Sequence, residues 1–135
     1  TGHVLIGYSR DRSVHNVNRT LLRLLRRHPG KFKTITADNG TEFHGYKWIE
    51  EKTGVRFYFA QPYHSWERGS NEHVNGLIRQ YVPKASSLDG LTQHKCDWIS
   101  ERLNSRPRKR HNYRTPAECF HGRCRTPWSH LDRVA

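Results

Sequence analysis

Two carboxylates stand out in this sequence by their neighbours. Asp38 opens the run Asp38-Asn39-Gly40-Thr41-Glu42-Phe43, and Glu72 closes the run Trp66-Glu67-Arg68-Gly69-Ser70-Asn71-Glu72. Taken singly, Asp-Asn-Gly is a common turn and a Glu early in a helix is ordinary capping chemistry. As a pair in a strongly basic chain they have another use. Phosphoryl transfer on a nucleic acid needs an activated oxygen nucleophile and a stabilised leaving oxygen, and two Mg²⁺ ions roughly 3.5–4 Å apart supply both. Mg²⁺ takes hard oxygen ligands in near-octahedral geometry. Carboxylates on separate rigid elements meet that need: Asp38 just past a strand, and Glu72 at a helix start, where the helix dipole favours its ionised form. Without metal two adjacent carboxylates resist joint ionisation, and a divalent cation reverses that. Asp38 and Glu72 are read as catalytic and metal-holding residues.

The elements that must position them follow from periodicity and punctuation. His3 to Tyr8 reads as a strand around the apolar run Val4-Leu5-Ile6. Ser13 can cap a helix whose Val14, Val17, Leu21, Leu24 and Leu25 recur at helical spacing, with Arg19, Arg23 and Arg26 on other faces; His28-Pro29-Gly30 stops it. Phe32 to Thr36 is a second strand, and Asp38 stands just past its end. Trp48 and Ile49 suit a helix stopping near Gly54, and Val55 to Ala60 a third strand. Gln61 to Gly69 is a loop, and Ser70 can cap a helix to about Val82. A further helix lies between Asp89 and Leu103. Thr115-Pro116-Ala117-Glu118 is a capping box with Pro at the first helical position. Strands alternating with helices predict an α/β domain over residues 1–122, followed by a frayed tail at 123–135.

Composition narrows the partner. The chain has 135 residues, enough for one domain with a modest core, and 33% of them are hydrophobic. Lys and Arg number 24 against 12 Asp and Glu, a net charge of +12. That balance points to polyanions, nucleic acids foremost. No apolar run approaches the ~20 residues that span a bilayer. Three Cys are too few for a disulfide framework, which predicts a reducing cytosol. Cys119, His121, Cys124 and His130 follow no common zinc-module spacing. The chain has no Met and starts at Thr1 directly before a strand-like run, which predicts a piece of a longer protein.

The segment from Thr34 to Phe120 resembles the catalytic core of an Asp-Asp-Glu transposase of the insertion sequence thirty family. The matching stretches are Thr36-Ala37-Asp38-Asn39-Gly40-Thr41-Glu42-Phe43, Tyr58-Phe59-Ala60-Gln61-Pro62-Tyr63, and Ser65-Trp66-Glu67-Arg68-Gly69-Ser70-Asn71-Glu72-His73-Val74-Asn75-Gly76-Leu77-Ile78-Arg79-Gln80-Tyr81. Two more follow: Leu103-Asn104-Ser105-Arg106-Pro107-Arg108-Lys109 and Tyr113-Arg114-Thr115-Pro116-Ala117-Glu118. The resemblance implies a ribonuclease-H-like mixed sheet flanked by helices, as in retroviral integrases. It implies DNA cleavage and strand transfer, with two Mg²⁺ or Mn²⁺ ions in a complete site. Transposon ends and target DNA would be the partners of a homo-oligomer in the bacterial cytosol. Asp38 matches the family's second catalytic Asp and Glu72 its Glu, while Arg68 and Arg79 match basic positions flanking that Glu. The aromatic expected three residues before Arg68 is replaced by Ser65, with Tyr63 and Trp66 as neighbours.

The first catalytic Asp has no match. Asp11 is the only acid between Thr1 and Asp38, and it follows the His3–Tyr8 run instead of lying on a strand. That run resembles the family's third strand, so the resemblance predicts a fold lacking its first strand and a chain inactive by itself. The alternative is a non-catalytic nucleic-acid-binding remnant or regulator.

DNA contacts are predicted on two stretches. On a helix from Ser70, Glu72, Asn75, Gly76 and Arg79 share a face, so Asn75 and Arg79 would hold DNA beside the metal while Val74, Leu77, Ile78 and Tyr81 pack on the sheet. Arg106-Pro107-Arg108-Lys109-Arg110 is a basic run suited to phosphate, kept extended by Pro107. Arg68, Asn75, Arg79, Arg106, Arg108, Lys109 and Arg110 are the candidate DNA-binding residues.

Overall fold

A computed structural model describes residues 1–61, 69–84 and 87–122. Helix α1 spans Val14–Arg27, strand β1 Thr34–Ala37, α2 Tyr46–Thr53, β2 Arg56–Phe59, α3 Gly69–Ile78, α4 Gln93–Asn104 and α5 Pro116–His121, with 3-10 turns at Thr41–Phe43 and Lys109–His111. The boundary signals act as their chemistry requires. The Ser13 hydroxyl accepts from the Asn16 N–H and starts α1, and Thr115 with Glu118 closes a full capping box on α5. Gly54 ends α2 in the left-handed region at φ 73°, its N–H donating to Glu50 O at 2.8 Å.

β1 and β2 pair in parallel, Thr34 opposite Arg56 and Ala37 opposite Phe59. Among the described residues this two-stranded sheet is the whole sheet. It buries one core, in which Leu25, Ala37, Ile49, Val55 and Phe57 meet Leu21, Phe32 and Tyr46. A second core joins Val4, Ile99 and Leu103 to Val74, Leu77, Ile78 and Tyr81. The apolar face of α3 thus packs on α4 and the N-terminal segment, not on the sheet as its sequence pattern predicts. The reason is proximity of matching surface: α4 presents the fully buried Ile99 and Leu103, which α3 covers.

His3 to Tyr8 is the largest departure from the sequence reading. It forms no strand. The Val4 N–H donates to Asn104 Oδ1 and Asn104 Nδ2 donates to Val4 O, both at 2.8 Å. The Ile6 N–H donates to Ser100 Oγ at 3.1 Å, Gln93 Nε2 to Ile6 O at 3.0 Å, and the Tyr8 N–H to Gln93 Oε1 at 2.9 Å. Alternate residues of an extended segment thus meet side chains spaced along one face of α4. A buried backbone must find partners, and here a helix supplies what a neighbouring strand otherwise would. Residues 123–135, the predicted tail, lie outside the described residues, Cys124 and His130 with them. No helix among the described residues is long and apolar enough to cross a membrane.

Candidate active site and nucleic-acid interface

Asp38 is the first residue past β1, on the loop that leaves the C-terminal edge of the sheet. The ladder continues one step beyond β2, where the Ala60 N–H donates to Ala37 O at 2.8 Å. Asn39 Nδ2 then donates to Ala60 O at 3.0 Å, tying the Asp38 loop to the end of β2. The Gly40 N–H donates to Asp38 Oδ1 at 3.2 Å, the local turn that Asp-Asn-Gly encodes. Asp38 is half-buried.

Two residues join Asp38 that the sequence reading did not single out. Glu42 folds back from the 3-10 turn so closely that a Cβ on Gly40 would meet Glu42 Oε2 at 2.5 Å. Arg12 Nη2 lies 2.9 Å from Glu42 Oε1, with Glu42 largely covered at 16% side-chain exposure and Arg12 open at 86%. The hydrogen bond and charge of Glu42, and then the charge of Asp38, raise the Arg12 pKa. The Glu42 carboxyl sits below its usual range, first through its own backbone N–H and then through Arg12. The Arg12 guanidinium is thus paired with Glu42 and feels the Asp38 charge more weakly. Glu42 belonged to the Asp38 motif, but Arg12, thirty positions away from it, carried no local signal.

Glu72 lies in the first turn of α3, where the sequence places it. Glu72, Asn75, Gly76 and Arg79 are all exposed, while Val74, Leu77 and Ile78 are half-buried. Arg79 follows the last residue of α3, its N–H donating to Asn75 O at 3.0 Å. The open face of α3 is the one that carries Glu72, Asn75 and Arg79. Arg68 lies outside the described residues, as do Tyr63, Ser65 and Trp66.

The carboxylates offer the hard oxygen donors a divalent cation takes. Among the described residues, however, no group of three or more His, Cys, Asp and Glu is placed to hold a metal ion.

The basic run is partly used inside the molecule. Arg106 is half-buried; its Nη2 donates to the Tyr81 hydroxyl at 2.6 Å and its guanidinium sits 5.8 Å from the Tyr81 ring centre. Arg108 Nη2 approaches Leu103 O at 3.4 Å, and its backbone N–H donates to Arg114 O at 3.0 Å. Lys109 and Arg110 are exposed. They sit on a 3-10 turn and not on an extended loop, because Asn112 takes a left-handed φ of 57° and closes the turn onto Lys109.

No protein-family model matches the chain. Over 96 residues it is 52% identical to the transposase for insertion sequence element IS4351 of Bacteroides fragilis, a match covering 71% of this chain and 29% of that protein. Over 86 residues it is 45% identical to transposase InsI for insertion sequence element IS30A of Escherichia coli K12, covering 64% of this chain and 22% of the relative. The chain spans less than a third of the length of these curated relatives. In three dimensions it resembles the catalytic core domain of BIV integrase, with a TM-score of 0.58 at 16% identity over 93% of this chain and 78% of that one. By sequence the chain is similar to one segment of these insertion-sequence transposases, and its fold is similar to the ribonuclease-H-like fold of that integrase core.

Proposed function

We propose that this chain carries part of the catalytic core of a DNA transposase and serves metal-dependent cleavage and strand transfer of transposon ends into target DNA. The observation that carries the reading is the placement of Asp38 one residue past a parallel strand. Its loop is pinned to the end of the neighbouring strand, and Glu72 opens the exposed face of a helix. Rigid elements of this kind are what a carboxylate site for Mg²⁺ or Mn²⁺ needs. Bound there, the ions would activate the attacking oxygen and stabilise the leaving one. The chain's own residues do the rest. Asn75 and Arg79 hold DNA beside Glu72, Lys109 and Arg110 contribute exposed charge, and Arg12 balances the carboxylates near Asp38. The working form is an oligomer in the bacterial cytosol.

The test is strand transfer of a labelled insertion end in Mg²⁺ by a longer protein of which these residues are a part, with Asp38→Asn and Glu72→Gln as controls. Metal-dependent product lost in both variants is the expected result, and no product from the parent protein would sink the reading. The second reading is a DNA-binding module that performs no chemistry. It is favoured by the shortage of converging carboxylates among the described residues. It predicts DNA binding without turnover by the 135 residues, and measured turnover would remove it.

A further inference from the structure

Helix α1 contains no acidic residue; its sequence runs Val-His-Asn-Val-Asn-Arg-Thr-Leu-Leu-Arg-Leu-Leu-Arg-Arg. Arg19, Arg23 and Arg26 recur at i, i+4 and i+7 and so lie on one face, spread over about 10 Å of helix. That face forms one wall of an open groove of about 610 Å³, completed by His15, Leu22, Arg27 and the Trp48 ring of α2. No carboxylate lines it.

The charges are unevenly spent. Arg27 is neutralised by Asp97, at 2.8 and 3.2 Å. Arg23 is held by neutral acceptors, Tyr8 O at 3.3 Å and Gln93 Oε1 at 2.9 Å, which fix its guanidinium and leave its charge uncompensated. Arg19 and Arg26 are exposed, and the ion pairs among the described residues take Arg12 and Arg27 instead. Trp48 is 39% exposed, with Lys52 Nζ 6.0 Å from its ring centre. Guanidiniums along one helix face, Arg23 among them held in place, beside an accessible indole suit a sugar-phosphate backbone. A lipid surface fits poorly, because it requires an apolar helix face, and Leu21 and Leu25 of α1 are turned into the core.

We infer that the groove between α1 and α2 is a second nucleic-acid surface, which holds the backbone of duplex DNA through Arg19, Arg23 and Arg26. α1 begins beside Arg12 and packs on the 3-10 turn after Asp38, so the groove leads away from the candidate active site along a single helix. The inference rests on the charge and shape of α1 and not on chemistry at Asp38, so it can fail while the strand-transfer reading stands.

The experiment is a fluorescence-anisotropy titration of the 135-residue chain with a labelled duplex of unrelated sequence, repeated over a range of salt. Arg19→Gln with Arg26→Gln should flatten the slope of log K against log salt by about two and weaken binding about tenfold or more, since each lost phosphate contact removes about 0.9 of slope. Arg19→Lys with Arg26→Lys should keep the slope. Thermal melting of each variant reports the fold, and amide shifts of residues 19–27 on adding duplex give a readout that needs no mutation. An unchanged slope in the folded Gln variant, or silent amides over 19–27, would overturn the inference. So would polyglutamate competing as well as duplex at equal charge, since the groove would then be an acidic-protein surface.

Discussion

Asp38 and Glu72 are set up differently by their surroundings. Asp38 is half-buried and tied by its loop to two strands, while Glu72 is open on a helix. Asp38→Asn or Glu72→Gln removes a charge that metal binding needs, so each should lower strand transfer by at least about 100-fold, the lower range for losing one group that stabilises transition-state charge. Salt-dependent DNA binding should survive. A second residue-scale prediction concerns His3. Its ring stacks on Phe120 at 4.1 Å between centroids, and the His121 and His28 rings stand in T-shaped geometry with centroids 5.8 and 6.2 Å away. Burial first, and then the charges of His121 and His28, lower its pKa from 6.5 to about 4. A depressed folded pKa means that the unfolded chain binds the proton first. The stability held above pH 6.5 is therefore lost as the pH falls toward 4. Melting temperature followed over that window should drop, and His3→Gln should shrink the drop. An equal drop in the variant would place the titration elsewhere.

At the scale of elements, α4 is the unexpected organiser. Its Asn104 is 4% exposed and makes both hydrogen bonds to Val4. Asn104→Ala would strand a buried N–H and a buried C=O together, at a cost of about 2–4 kcal/mol by denaturant unfolding. Ser100→Ala loses a single acceptor, for Ile6, and should cost about 1 kcal/mol. If Asn104→Ala proved as mild as Ser100→Ala, the segment from His3 to Tyr8 would not depend on α4. The helix patterns were legible in the sequence because caps and periodicity are local. Ser13, Gly54 and the Thr115–Glu118 box all mark boundaries where they were read. The His3–Tyr8 run was not legible, because Val4-Leu5-Ile6 specifies an extended apolar segment and leaves open what its backbone will meet.

For the whole molecule, a net charge of +12 has to be apportioned. Ion pairs within the fold neutralise Arg12 and Arg27, while Arg106 and Arg108 are held by neutral acceptors and keep their charge. The rest remains available on the open face of α3, on Lys109 and Arg110, and along α1. Four or more phosphate contacts would make duplex affinity fall about 100-fold or more between about 50 and 200 mM salt. Titrations at the two salt concentrations check this, and a shift of only a few-fold would show that the exposed charge is solvated and unused. β1 and β2 each pair on one side among the described residues, leaving edges that favour self-association. Sedimentation should therefore shift with protein concentration, and a concentration-independent monomer would count against an oligomer.

The sequence by itself determined the caps that bound α1, α2 and α5, the position of Asp38 past a strand, and the exposed face of Glu72, Asn75 and Arg79, and its net charge predicts a polyanion partner. Each is written in neighbours a few residues apart or in bulk charge. Tertiary structure alone decided that α4 replaces a strand beside His3–Tyr8, that Arg12 and Glu42 join the Asp38 loop, and that Arg106 and Arg108 turn inward. It also decided that Arg19, Arg23 and Arg26 line a groove with Trp48. Those outcomes depend on contacts between residues far apart in the chain, where one polar group's partner is chosen by whichever surface packing brings within reach.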